Sequence, residues 1–179
     1  MQVGEISKKN IALREPLVSD AVRIQALIQE VGQLDQNSTY LYLLLCTHFS
    51  QTCVLVESDS ELAGFATGYI PPDQKETLFI WQIAVASTWQ KKGYARQMIL
   101  SILKRSICKN VSFIQATVGP ENLSSRSLFA SLAKKASVPF EITSHFQPQH
   151  FGDQVHEPED LITVGPFHRK DLIALCEGE

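Results

Sequence analysis

Short apolar runs and amphipathic stretches follow one another along this chain, and their two periods can be told apart. Ile11 to Glu15 reads as a first strand, stopped at Pro16. Val22, Ile24, Leu27, Ile28 and Val31 then recur at helical spacing, with Ser19 or Asp20 able to cap the start and Gly32 placed to end it. A second helix starts at Asn37 or Ser38 and runs to about Phe49; its length and cap favour helix over strand despite the apolar run inside it. Thr52 to Glu57 and Leu62 to Ile70 read as paired strands around a turn at 58–61, and Pro71-Pro72-Asp73 breaks the second. Thr77 to Ala86 is a long apolar strand. Tyr94 to about Cys108 is a helix with Ala95, Met98, Ile99, Ile102, Leu103 and Ile107 on one face. Ser112 to Val118 is a fifth strand, Gly119-Pro120 a turn, and Glu121 to Ala136 a further helix. Val138 to Phe146 and Asp160 to Val164 read as the last strands, joined by a loop from Gln147 to Glu159 rich in His, Pro, Gly and acids.

The order β-α-α-β-β-β-α-β-α-β-β points to an α/β sandwich. No linker splits it, so the expected organisation is a loose tail over 1–10, one domain over 11–167 and a polar tail over 168–179. In the last tail Leu172, Ile173 and Leu175 form a small apolar patch.

The segment FIWQIAVASTWQKKGYAR, Phe79 to Arg96, organises the rest. A strand leads through a short loop into Gln90-Lys91-Lys92-Gly93-Tyr94-Ala95, of form Q-x-x-G-x-A, which opens a helix. The first N–H groups of a helix have no internal partner, and the peptide dipoles add partial positive charge there. A glycine at that entrance lets an anion approach the backbone. Lys91, Lys92 and Arg96 add full charges. The inference is a phosphate or pyrophosphate cradle directly after a buried strand. A nucleoside triphosphate enzyme is poorly supported, because the loop lacks a G-K-[ST] ending.

This pattern resembles the acyl-coenzyme A binding motif of the GCN5-related N-acetyltransferases, and the order of elements is that family's. The resemblance implies a mixed, mostly antiparallel central sheet, splayed between its fourth and fifth strands, with helices on both faces. It implies that Gln90, Lys91, Lys92, Gly93, Tyr94, Ala95 and Arg96 grip the pyrophosphate of acetyl-coenzyme A, and that Ile83, Ala84 and Val85 pair with its pantetheine arm. Asn122-Leu123-Ser124-Ser125-Arg126-Ser127-Leu128-Phe129 is similar to the family's N-x-x-A/S-x-x-L-Y segment, which carries cofactor contacts onto Asn122 and Ser125. Phe129 departs from that pattern: many members have a tyrosine there that protonates the leaving thiolate, and a phenyl ring cannot.

Composition narrows the partners. With 44% hydrophobic and 20% charged residues the chain can build an ordinary core, and a formal net charge of −3 gives no basic excess for nucleic acid. No apolar stretch approaches membrane-spanning length, and the polar start MQVGEISKKN does not read as a signal peptide. Cys46, Cys53, Cys108 and Cys176 form no C-x-x-C pair, and all but the last lie in apolar runs, as in a reduced cytoplasmic protein. His145, His150 and His156 with Asp153 fit no ordinary zinc spacing, so no metal is expected. His48 reads as an ordinary helix residue.

Four further segments, LDQNSTYLYLLL (34–45), TLFIWQIAV (77–85), TVGPENLSSRSLF (117–129) and HEPEDL (156–161), are similar to one branch of that family, the L-2,4-diaminobutyrate acetyltransferases of ectoine synthesis. The resemblance implies an acceptor with two ammonium groups and a carboxylate, acetylated at its γ-amine by direct attack in a ternary complex. Such an acceptor needs acids and hydrogen-bond acceptors around it. Asp35 is assigned to hold an ammonium, with Asn37 and Tyr40 beside it. Trp81 would wall the pocket and stack the alkyl chain or cation. Glu157 and Glu159 flank Pro158, and one of them, Glu159 for preference, would bind or deprotonate the reacting amine. A backbone N–H near Ile83 would serve the thioester oxygen as oxyanion donor. A homodimer is expected from the family, with the C-terminal aliphatics as candidates for its interface. The alternatives are another small amine as acceptor, or a coenzyme A-sensing module that has lost catalysis.

Overall fold

The computed structural model describes residues 11–32, 34–59, 61–153 and 155–177. Seven strands form one sheet: β1 (Ile11–Arg14), β2 (Val54–Ser58), β3 (Glu61–Tyr69), β4 (Thr77–Val85), β5 (Phe113–Val118), β6 (Phe140–Phe146) and β7 (Glu159–Val164). Their order is β1-β2-β3-β4-β5-β7-β6, antiparallel throughout except for β4 and β5. Helices α1 (Ala21–Val31), α2 (Thr39–His48), α3 (Tyr94–Lys104), α4 (Leu123–Ala136) and α5 (Arg169–Glu177) complete the fold.

The parallel pair accounts for the opening of the sheet. Only Thr77, Leu78 and Phe79 pair with Phe113, Ile114 and Gln115. Beyond them β4 continues to Val85 and β5 to Val118 without pairing to each other, so the sheet opens into the V that the family resemblance implied. Apolar alternation fixes which faces close. Leu78, Ile80 and Ala84 of β4 are buried, as are Ile114, Ala116 and Val118 of β5. Helix α3 closes on Met98, Ile99, Ile102 and Leu103, all fully buried. Phe129 of α4 is also a core side chain, 1% exposed.

Several boundaries differ from expectation. Helix α3 stops at Lys104, and the residues after it form a separate 3-10 turn (Ser106–Cys108). Ile107 therefore leaves the core stripe and is exposed. The segment expected as a C-terminal tail contains α5, whose Leu172 is buried and whose Ile173 packs against the core. Those two aliphatics are thus not a free apolar surface.

Asp20 does not cap α1 with its side chain. Its carboxylate instead accepts from the Leu17 N–H at 2.8 Å and from Arg14 at 2.7 and 2.9 Å, and Arg23 donates to it at 2.9 Å. Both arginines also reach Glu57 of β2, at 2.6 and 2.7 Å. The hydrogen bond from Arg14 is the main cause that holds the buried Asp20 carboxyl down to about 2. This charged group ties the start of α1 to the edge of the sheet.

Candidate active site

The open V meets a cleft of about 560 Å³. Ile83, Ala84 and Val85 of β4 form one wall. Gln90, Lys91 and Gly93 form the turn at its mouth, and Tyr94, Ala95 and Arg96 are the first residues of α3. Ser125, Ser124 and Leu128 of α4 lie opposite.

The turn is held in a conformation that aims its backbone. Gly93 sits at φ +82° and Lys91 at φ +61°, in the left-handed region. A Cβ on Gly93 would meet nothing closer than 3.9 Å, so glycine serves the backbone conformation and leaves the approach to the amides open. Gln90 secures the turn to the strand by donating from Nε2 to the Val85 carbonyl at 3.1 Å. The Lys92 ammonium is folded back, donating to the Thr88 carbonyl at 3.0 Å and lying 4.8 Å from the centre of the Trp89 ring. Among the described residues the lining of this cleft contains Lys91 and Arg96 and no carboxylate. A helix start with cationic neighbours and no acid is a donor set that fits the diphosphate of coenzyme A.

Asn122 lies at the N-terminus of α4 and caps it, its Oδ1 accepting from the Ser125 N–H at 3.1 Å and from the Ser124 hydroxyl at 3.0 Å. Ser125 thus reaches the cleft from a helix turn that Asn122 orders.

A second set of residues gathers beside β4. The register between β3 and β4 shifts so that Thr67 faces Gln82 while Gly68 faces Ile80, which leaves Trp81 as the extra residue of a bulge. Trp81 is 37% exposed, whereas Gln82 beside it is buried. The Gln82 side chain accepts from the Tyr42 hydroxyl at 3.4 Å and donates to the Asp35 carbonyl at 3.1 Å. Asn37 donates to that same carbonyl at 3.2 Å. Gln25 of α1 steadies the segment from below, donating to the Asn37 carbonyl at 3.2 Å and accepting from the Thr39 hydroxyl at 2.6 Å. The Asp35 carboxylate is left exposed, with Oδ2 lying 3.8 Å from Nε2 of His156.

His156 carries the loop before β7 into this group. Its Nδ1 lies 2.6 Å from the Glu157 carbonyl, and its ring stacks on Phe151 with centroids 3.8 Å apart. The Glu157 carbonyl, followed by the nearby charges of Asp35 and Glu159, raises the imidazole above its ordinary value. Burial raises the Tyr42 hydroxyl, which stays protonated.

Asp35, Asn37 and His156, with the charge of Glu159 near it, are therefore drawn from two distant segments to one region, whereas the Glu157 carboxylate lies against Gly119. Tyr40 is 67% exposed, and Tyr42, two residues on, is the tyrosine turned inward. Sequence reading passed over Tyr42, Gln82 and His156 as site residues. A glutamine inside the apolar run FIWQIAV was a usable signal, since burying an amide requires partners. The buried thiols are poor nucleophiles here: burial pushes Cys46 and Cys108 up to about 11 and Cys53 up to about 12. Among the described residues there is no cluster of three or more His, Cys, Asp or Glu that could hold a metal, and no helix long and apolar enough to cross a membrane.

Residues 21–133 match the model of the acetyltransferase (GNAT) family, and the chain belongs to that family. The L-2,4-diaminobutyric acid acetyltransferase of Virgibacillus pantothenticus is 40% identical over 154 residues, 86% of this chain and 97% of that protein. The protein of the same name from Marinococcus halophilus is 35% identical over 161 residues, 90% of this chain and 93% of that one. Among solved structures, the diaminobutyrate acetyltransferase EctA from Paenibacillus lautus, in complex with its substrate L-2,4-diaminobutyric acid and coenzyme A, superposes with a TM-score of 0.86 at 37% identity, covering 89% of this chain and 97% of that one.

Proposed function

We propose that this chain transfers the acetyl group of acetyl-coenzyme A to the γ-amino group of L-2,4-diaminobutyrate. The observation that carries this reading is the meeting of two unlike surfaces at β4. A cleft with no carboxylate among its described lining residues opens at Gly93, and Asp35, held to Gln82 through its carbonyl, faces His156, which feels the charge of Glu159. The first suits a diphosphate and the second suits a small dication. The names and bound ligands of the relatives point the same way.

In this mechanism the amides from Gln90 to Arg96, with the cations of Lys91 and Arg96, hold the diphosphate, while Lys92 is turned back onto Thr88 and Trp89. Ile83, Ala84 and Val85 pair with the pantetheine arm. Asn122 and Ser125 guide that arm from the α4 side. Asp35 takes one ammonium of the acceptor, with Asn37, Tyr40 and Trp81 bounding its chain. An alkylamine has a pKa of roughly 10, so the nucleophile arrives protonated and must give up a proton. Glu159 accepts it, directly or through water, with Glu157 beside it. The neutral amine attacks the thioester carbonyl, and a backbone N–H near Ile83 stabilises the oxyanion as the tetrahedral intermediate forms. Collapse expels the thiolate, and the extra proton still on the amide nitrogen passes to solvent or to that thiolate; no protein acid is needed because a thiol pKa of about 8.5 makes it a tolerable leaving group. Phe129, sealed in the core, has no part in that step.

On this reading the product is the acetylated intermediate of ectoine biosynthesis, and the enzyme serves osmoprotection from the cytoplasm. A homodimer is part of this reading. Strand β6, at the edge of the sheet, supports it better than the C-terminus does, since Phe140, Ile142 and Phe146 are each 37–41% exposed.

Thiol release from acetyl-coenzyme A in the presence of diaminobutyrate, ornithine, lysine or spermidine tests the acceptor. Diaminobutyrate should give the highest kcat/KM by at least tenfold. Preference for another amine, or thiol release from none of them, would overturn the proposal.

A further inference from the structure

One residue links the helix that walls the cleft to the loop that supplies the acceptor-site acids. Gly119 follows β5, and its carbonyl accepts from the Asn122 N–H and from Nε of Arg126, both at 3.1 Å. The Glu157 carboxylate lies against the same glycine, so close that a Cβ there would overlap it. Arg126 then extends Nη2 to the Asp160 carboxylate at 2.5 Å. Asp160 is the register partner of Val118, the last residue of β5, and follows Glu159 directly in the chain. The two side chains of the pair are 20% and 25% exposed, enough shielding for a charge-assisted hydrogen bond to count.

We propose that Arg126 is a positioning residue for the acceptor half of the site. Holding the Gly119 carbonyl with Nε and Asp160 with Nη2, it fixes the first residue pair of β7 against the tip of β5. That fixes where Glu159 and Glu157 stand. The inference rests on the acetyl-transfer reading above. The side chain acts away from the cofactor cleft, whose α4 wall is made by Ser124, Ser125 and Leu128. Its loss should therefore separate the two substrates. Lysine cannot replace it fully, because one ammonium cannot reproduce the two fixed directions of the guanidinium.

Steady-state kinetics of Arg126→Ala, Arg126→Lys, Asp160→Asn and the exchange Arg126→Asp/Asp160→Arg test this, with coenzyme A affinity by calorimetry and melting temperature as controls. The expected result is a KM for diaminobutyrate raised at least tenfold in Arg126→Ala and Asp160→Asn. Coenzyme A affinity should stay within twofold, Arg126→Lys should be intermediate, and the exchange should recover part of the loss. Gly119→Ala, which displaces Glu157 without removing a charge, should raise the same KM. An unchanged KM for diaminobutyrate in folded variants would overturn the inference, as would equal loss of both substrates. Absence of thiol release by the unaltered protein would instead overturn the functional reading beneath it.

Discussion

The side-chain amide of Gln82 donates to the main-chain carbonyl of Asp35 at 3.1 Å, joining the central strand to the loop between α1 and α2. The contact spans 47 positions of sequence and fixes the acidic loop at a set height above β4. Because Gln82 also accepts from Tyr42, its buried amide is satisfied on both sides. Gln82→Leu keeps the approximate volume and removes both bonds. It should cost about 1–3 kcal/mol of stability, the usual cost of leaving buried groups without partners. It should also raise the KM for diaminobutyrate about tenfold, with coenzyme A affinity retained. Chemical denaturation and steady-state kinetics on the same preparation read both effects.

Gly93 is the tightest constraint on the cofactor side. Gly93→Asp puts a carboxylate where the phosphates approach and forces a side chain onto a backbone at φ +82°. Calorimetric titration with coenzyme A should show no measurable binding, while circular dichroism stays that of the unaltered protein. Unchanged affinity would remove the cradle from this turn.

The acceptor acids should separate from the cofactor site in kinetics. Glu159→Gln and Asp35→Asn keep shape and remove charge. Each should lower kcat/KM for diaminobutyrate at least tenfold and leave the KM for acetyl-coenzyme A near its original value. If both variants keep full activity, the amine is held elsewhere.

Asp20 gives a stability prediction with a definite pH window. Its folded carboxyl is depressed to about 2 from its ordinary 3.8, so its contribution is present above the higher value and is lost as pH falls towards the lower. Asp20→Asn should destabilise the protein by about 2 kcal/mol at pH 7. For a chain of this size that is roughly 4–8 °C in Tm. The difference between variant and parent should shrink steadily below pH 4, as followed by thermal melts across that range.

The cofactor half of the site was legible because it is local. Strand, turn and helix start lie within eighteen consecutive residues, Phe79 to Arg96, and the glycine and cations that define the turn are adjacent in sequence. The acceptor half was legible only in part. Asp35 and the 157–159 acids could be singled out, but the approach of His156 to Asp35 depends on the path of the β6–β7 loop, which no local pattern encodes. Tyr40 and Tyr42 differ by two positions on one helix, and only packing against β4 decides that Tyr42 turns inward. The bulge that isolates Trp81 is likewise a property of two strands together. Helix α5 was missed because its stretch is short and polar, with its packing supplied by the neighbouring helices rather than by its own periodicity.

Regiochemistry is the most direct test of the whole account. The protein is incubated with diaminobutyrate and acetyl-coenzyme A labelled with carbon-13 at the acetyl carbonyl, and the product is read by NMR. The account requires the labelled carbonyl to correlate with the γ-methylene protons, with free thiol appearing in equal amount. A product labelled at the α-nitrogen, or no amide signal while coenzyme A binds normally, would contradict it.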